Sequence, residues 1–321
     1  MLPRILTAAV LALAVAPLSA ARPAKEELIA FVSAERAAQL VAVDLRSRRV
    51  IARIPVAPGP HNVAASPDGR FVLGTSPPAG RVTLVDGRTL RVRHVFSGFG
   101  YPHDVELDPI RPYAYVTDER RGELVALDLA RRRVAGRVAV GAGPHDLAVS
   151  PGGTRAWVTH GSSTPALTIV DTSRPARPRI AGRVPARGTH DIAFSEDGLH
   201  VWITYWGSNR VGAFEAIAER LRLERRVGTL LHHVQMGLRD EVWLTDHGAG
   251  RVYLLSARTG RVVQALAGCP GAHHVAVAGG AYVAVACHDA DALAVYERRT
   301  WRRTLVPVGR GPHGVAVAVL P

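Results

Sequence analysis

Short apolar runs of strand character recur along this chain, each closed by residues that favour turns. Between His103 and Val138 the order is clear. His103 to Leu107 predicts a first strand, Asp108-Pro109 to Arg111-Pro112 a turn, and Tyr113-Ala114-Tyr115-Val116-Thr117 a second strand of β-favouring residues. A loop from Asp118 to Gly122 follows, then Leu124 to Asp128 and Arg133 to Val138 as third and fourth strands. Ser66-Pro67-Asp68-Gly69 and Ser195-Glu196-Asp197-Gly198 carry residues whose φ preferences suit tight hairpins. Phe214 to Arg225, read alone, has an amphipathic helical pattern, but its place in the repeat makes it strands.

The repeat is anchored on a histidine followed two and four residues later by apolar positions. It occurs at His61, His103, His145, His190, His232, His273 and His313, each 40 to 45 residues from the next. That period is one four-stranded blade. Ahead of His61, Leu28 to Ser33 and Leu40 to Asp44 read as second and third strands without a first; after His313, Gly314 to Leu320 supplies a first strand alone. Joining these ends completes a seventh blade and leaves no open sheet edge. The expectation is therefore all-β: a seven-bladed β-propeller closed by its C-terminal strand, forming a single domain over residues 22–321. Arg4, the apolar run from Ile5 to about Leu18, and Ser19-Ala20-Ala21 have the order of a signal peptide over residues 1–21. The chain is thus expected to be periplasmic or secreted, with no membrane span after cleavage, and a monomer.

The segment Gly59-Pro60-His61-Asn62-Val63-Ala64-Ala65-Ser66-Pro67-Asp68-Gly69, with Tyr115-Val116-Thr117-Asp118, resembles the YVTN family of β-propeller repeats. The likeness covers nearly all of the mature chain and is specific for fold, not function. Proteins similar to it include surface-layer proteins, exported binding proteins and, more distantly, lactonases, streptogramin lyases and the propeller domain of nitrous oxide reductase.

Charge changes this picture little. The formal net charge is +13, carried by arginine with Lys25 as the single lysine. The arginines are scattered over turns and strand ends without interleaved aromatics, so a nucleic-acid partner is not expected. Nucleophile elbows, phosphate loops, dinucleotide fingerprints and the His-Glu-x-x-His zinc motif are absent from the sequence.

Histidine is the candidate chemistry. The seven repeat histidines open the inner strands and so surround one mouth of the channel, facing loops that bring His160, His247 and His288 to the same rim. Neutral imidazoles suit copper, zinc or iron, and a mononuclear site would use only a subset of seven. The competing reading is structural. Each histidine shares strand parity with the apolar residues two and four positions on, which points it into the blade interface and toward a threonine such as Thr117, Thr159, Thr204 or Thr245. The same parity turns Asp104, Asp146 and Asp191 to the other strand face, against a calcium-lactonase reading. Cys269 and Cys287 are expected to form a local disulfide, with thiolate ligation by Cys287 the alternative. Three functions stay open: a binder of a metal ion or small ligand; a metal-dependent oxidase or lyase using Tyr205, Asp118 or Asp246; and a scaffold docking another exported protein.

Overall fold

The computed structural model describes residues 26–320; the signal-peptide segment and its cleavage point lie outside the described residues. Seven four-stranded antiparallel sheets form the ring. In the His103 blade the strands are Pro102–Leu107, Tyr113–Asp118, Glu123–Asp128 and Arg133–Ala139. Phe214 to Arg225 falls in Arg210–Glu215 and Arg220–Arg226, paired strands of the His190 blade.

Closure occurs as the termini imply. Pro312–Leu320 pairs antiparallel with Glu27–Ala34, which continues to Gln39–Asp44 and Arg49–Pro55. At this joint Gly314 is required by space: a Cβ there would stand 2.8 Å from the His61 carbonyl oxygen.

Each apolar cluster spans two neighbouring blades. Leu73, Val82 and Leu84 of the His61 blade pack on Val105, Val116 and Val125 of the next. Trp157, Leu167 and Ile169 meet Val201, Ile203 and Phe214. Trp157, Trp202 and Trp243, the largest fully buried side chains, sit on second strands, so cohesion comes from face-to-face blade packing. No helix among the described residues is long and apolar enough to cross a membrane.

A candidate metal centre in the histidine ring

Strict alternation fails at the repeat histidine, and this corrects the parity reading. Pro102 pairs with Asp118 and Val105 with Val116, so one extra residue stands on the inner strand. The same shift occurs at Thr189/Ile192, Leu231/Val234, Ala272/Val275 and across Pro312/Val315. In the remaining two blades the hydrogen bonds show it: the His61 amide donates to the Thr75 carbonyl while the Thr75 amide donates to the Asn62 carbonyl, and His145, Asp146 and Thr159 repeat the pattern. Every blade thus carries a β-bulge at its histidine. A bulge puts two consecutive side chains on one side of the strand.

Both therefore face the axis. The repeat histidines form a closed circle of imidazoles, with neighbouring ring centroids 3.5 to 5.1 Å apart from His61 around to His313 and back. Beneath them the following residues make a second tier: Asn62, Asp104, Asp191, His233 and His274 line a channel cavity of about 360 Å³. A third tier two residues further on is alanine except for Glu106 and Gln235. Asp104 and Asp191, expected on the other strand face, are channel residues.

The threonines bond backbone, not imidazole. Thr117 Oγ1 accepts the Asp104 amide (3.0 Å) and donates to the His145 carbonyl of the next blade (2.6 Å). Thr75, Thr159, Thr204, Thr245 and Ser33 do the same at their joints. Ala286 occupies this position in the His273 blade and has no hydroxyl to offer. Second-tier side chains add further ties between blades. Asp104 accepts the Leu147 amide (3.0 Å), Asp191 the Val234 amide (2.6 Å), and His233 Nδ1 the Val275 amide (3.3 Å).

The ring is chemically two-sided. On one arc, Asp146 lies between two imidazoles, its oxygens 3.3 Å from His103 Nδ1 and 3.1 Å from His145 Nδ1. Burial alone would lower the His103 pKa, but the hydrogen bond to Asp146 and its charge outweigh it and raise it. Asp146 moves the other way, well below the usual carboxylate range, because His145 and His103 outweigh its burial. Burial, with the charge of Asp146, pushes Asp104 up to about 7, and burial, with the charge of Asp104, pushes Glu106 up to about 8.

The opposite arc holds imidazoles without partners. The Nδ1 atoms of His61, His232, His273 and His313 are buried with no hydrogen bond. His232, His273 and His274 offer ligand atoms that lie within 4.8 Å of one another, and His313 stands beside them, its ring 3.9 Å from that of His273. Burial first, and then mutual repulsion among the histidines, holds His232, His273, His274 and His313 well below the ordinary imidazole pKa. These rings are neutral at neutral pH and keep lone pairs free for a cation.

The remaining sequence candidates divide. His247 and His288 come to the rim, their rings 5.6 and 5.7 Å from that of His273. His288 is tied to Asp289 (2.9 Å) and lies 3.7 Å from Glu35, whose bond raises its pKa. Trp206 overhangs the other arc, its ring 4.6 Å from His190 and 5.2 Å from His145. His160 is corrected to a structural role: its Nδ1 meets the Ala142 carbonyl (3.0 Å) and its Nε2 the Thr168 hydroxyl (2.8 Å), leaving no lone pair for a metal. Asp118 and Asp246 are occupied by loop amides, and Tyr205 packs inside a blade under Arg210. Cys269 and Cys287 form a disulfide, which removes Cys287 as a thiolate ligand.

His233 and His274 were missed by the sequence reading. Their signal was the doubled histidine at 232–233 and 273–274, which alternation assigns to opposite faces and a bulge brings to the same one.

No protein-family model matches the chain, and no curated protein matches it by sequence. Solved structures do match in fold. A functionally unknown protein from Desulfotomaculum acetoxidans superposes with a TM-score of 0.79 at 14% identity, over 90% of this chain and 98% of that one. Apo AztD from Citrobacter koseri gives 0.73 at 13% identity, over 92% and 98%. The dihydro-heme d1 dehydrogenase NirN, in complex with DHE, gives 0.66 at 17% identity, over 94% and 77%. Identities this low establish the β-propeller architecture alone.

Proposed function

We propose that this protein is an exported β-propeller that binds a transition-metal ion in the imidazole nest formed by His232, His273 and His274, with His313 beside them. The observation that carries the reading is the set of buried, unbonded Nδ1 atoms on this arc. A buried polar atom without a partner costs about 1–3 kcal/mol, and a scaffold with no ligand has no use for several together. An all-imidazole donor set favours zinc, copper or another borderline ion over calcium or magnesium. His247 and His288, on the rim above His273, suit the approach of such an ion.

Binding is preferred to catalysis because the acid-base candidates Tyr205, Asp118 and Asp246 are committed elsewhere. Export is supported by the signal-like residues 1–21 and by a disulfide of the kind that persists in oxidising compartments. The YVTN-like segments at residues 59–69 and 115–118 fit this reading as the repeat that builds the ring.

The test is metal retention by untagged protein, loaded in turn with zinc, copper and iron and then dialysed. Wild type should retain zinc or copper near stoichiometrically. The His273→Ala/His274→Ala double variant should lose it, while His94→Ala and His200→Ala, both remote from the ring, should not. Retention by the double variant, at wild-type levels and with a wild-type melting curve, places the metal elsewhere and defeats the proposal.

A further inference from the structure

The imidazole nest uses one arc of the ring; the other arc has a different donor set. We propose that His103, His145 and Asp146 form a second cation site, suited to a divalent first-row metal ion that takes two nitrogens and one carboxylate and keeps open positions for exchangeable ligands. It shares the ring with the nest but no ligand, and it stands or falls separately.

Three observations carry it. First, the three side chains offer ligand atoms within 4.8 Å of one another, with His103 and Asp146 buried. Their individual separations, 3.3 Å and 3.1 Å, are close to the ~3.3 Å edge of a tetrahedron with metal–ligand arms of about 2.0–2.1 Å.

Second, Asp146 is released from the structural duty of its counterparts. Asp104 and Asp191 each cap an amide of the next blade, at Leu147 and Val234. The amide that Asp146 would cap belongs to Ile192, and Asp191 takes it with its own Oδ1 (2.8 Å). With no backbone amide of the next blade to hold, the Asp146 carboxylate lies against His103 and His145 of the ring, and from the second tier the Asn62 side-chain amide donates to its Oδ1 at 3.5 Å.

Third, the arc is built to hold its ligands in place and remain reachable. The His145 carbonyl is fixed by Thr117 (2.6 Å) and also lies 3.2 Å from His103 Nδ1. His145 is only partly buried, and the exposed Trp206 stands edge-on above it at the mouth. Two histidines with one carboxylate and vacant positions is a donor set matched to ferrous-type ions, harder than the all-imidazole nest opposite. A structural ion pair would explain the short contacts, though not the opening at the mouth.

The test uses cobalt(II), whose absorption reports ligand type and number, titrated into untagged, chelator-stripped full-length protein. Wild type should bind two equivalents in two spectrally distinct phases. Asp146→Asn should bind one, with its affinity at the second site weakened at least tenfold and the nest's spectrum intact. The His273→Ala/His274→Ala variant should also bind one, with the complementary spectrum. His145→Gln, at a more exposed position, gives the same reading if Asp146→Asn fails to fold. If Asp146→Asn and His145→Gln both bind as much cobalt as wild type, or if wild type binds a single equivalent that neither affects, the arc is an ion pair only and the proposal is overturned. A single equivalent lost in Asp146→Asn but kept in the double variant would uphold this site and refute the nest.

Discussion

Thr204 shows how much one side chain does here. Its hydroxyl accepts the Asp191 amide at 3.2 Å within its own blade and donates to the His232 carbonyl at 2.8 Å in the next. Replacing it with valine keeps the shape and strands two buried backbone groups, each costing about 1–3 kcal/mol. Thr204→Val should therefore lower unfolding free energy by about 2–4 kcal/mol, measured by urea denaturation, whereas Thr304→Val, on the outer strand Arg302–Pro307, should fall within about 0.5 kcal/mol of zero. At this scale the sequence was half legible. Thr117, Thr159, Thr204 and Thr245 could be picked out as partners of the histidine segment, since each ends a second strand. Which atom each would bond was not readable, because the acceptor is a backbone carbonyl 28 residues away in the neighbouring blade, or 31 for Thr159.

At the level of elements, the bulge decides the site. Periodicity located all seven inner strands and the pairing of the two termini, since blade length and turn residues are local properties of the chain. The bulge is set by hydrogen bonds across two strands and leaves no compositional mark, so parity misdirected both the histidines and Asp104 and Asp191. The hairpin carrying His273 and His274 has a covalent support in addition. Ala272 pairs with Cys287, and Cys287 is bonded to Cys269, which closes an 18-residue separation around both histidines. A loop of that size contributes about 3 kcal/mol through the unfolded chain. The Cys269→Ser/Cys287→Ser variant should show that loss as a lower midpoint in denaturant titration, with an m-value at or above that of wild type because the unfolded chain is less compact, and dithiothreitol should reproduce it in the wild type.

For the whole molecule, the channel's opposed charges predict a dome-shaped pH dependence. His61, His190, His232, His233, His273, His274 and His313 all have lowered pKa values, burial being the first cause of each. The unfolded chain takes up those protons below about pH 6.5 and the folded one does not, so stability falls with acidification, by up to about 1.4 kcal/mol per unit for each histidine. Asp104 and Glu106 act oppositely: unfolded, they release their protons near pH 4, and folded they hold them up to about 7 and about 8, so their contribution falls as pH rises from about 4 to those values and is constant above them. Raised His103 adds to the same alkaline loss. Metal-free protein should be most resistant to urea near pH 6.5, where the histidine gain ends, and Glu106→Gln should flatten the decline from there to about pH 8 and steepen the rise below it. An unchanged alkaline limb would show that Glu106 is ionised in the empty channel.

The hydroxyl pegs that lock each blade to the next run through Ser33, Thr75, Thr117, Thr159, Thr204 and Thr245 and stop at Ala286. The unpegged joint is the one between the His273 blade and the closing strand, where His273 and His274 face His313. A metal ion held there sits where the masonry is short of a pin. On the proposed reading it would act as a keystone as well as cargo, and giving it up would loosen the seam at which the first and last of the described strands are fastened.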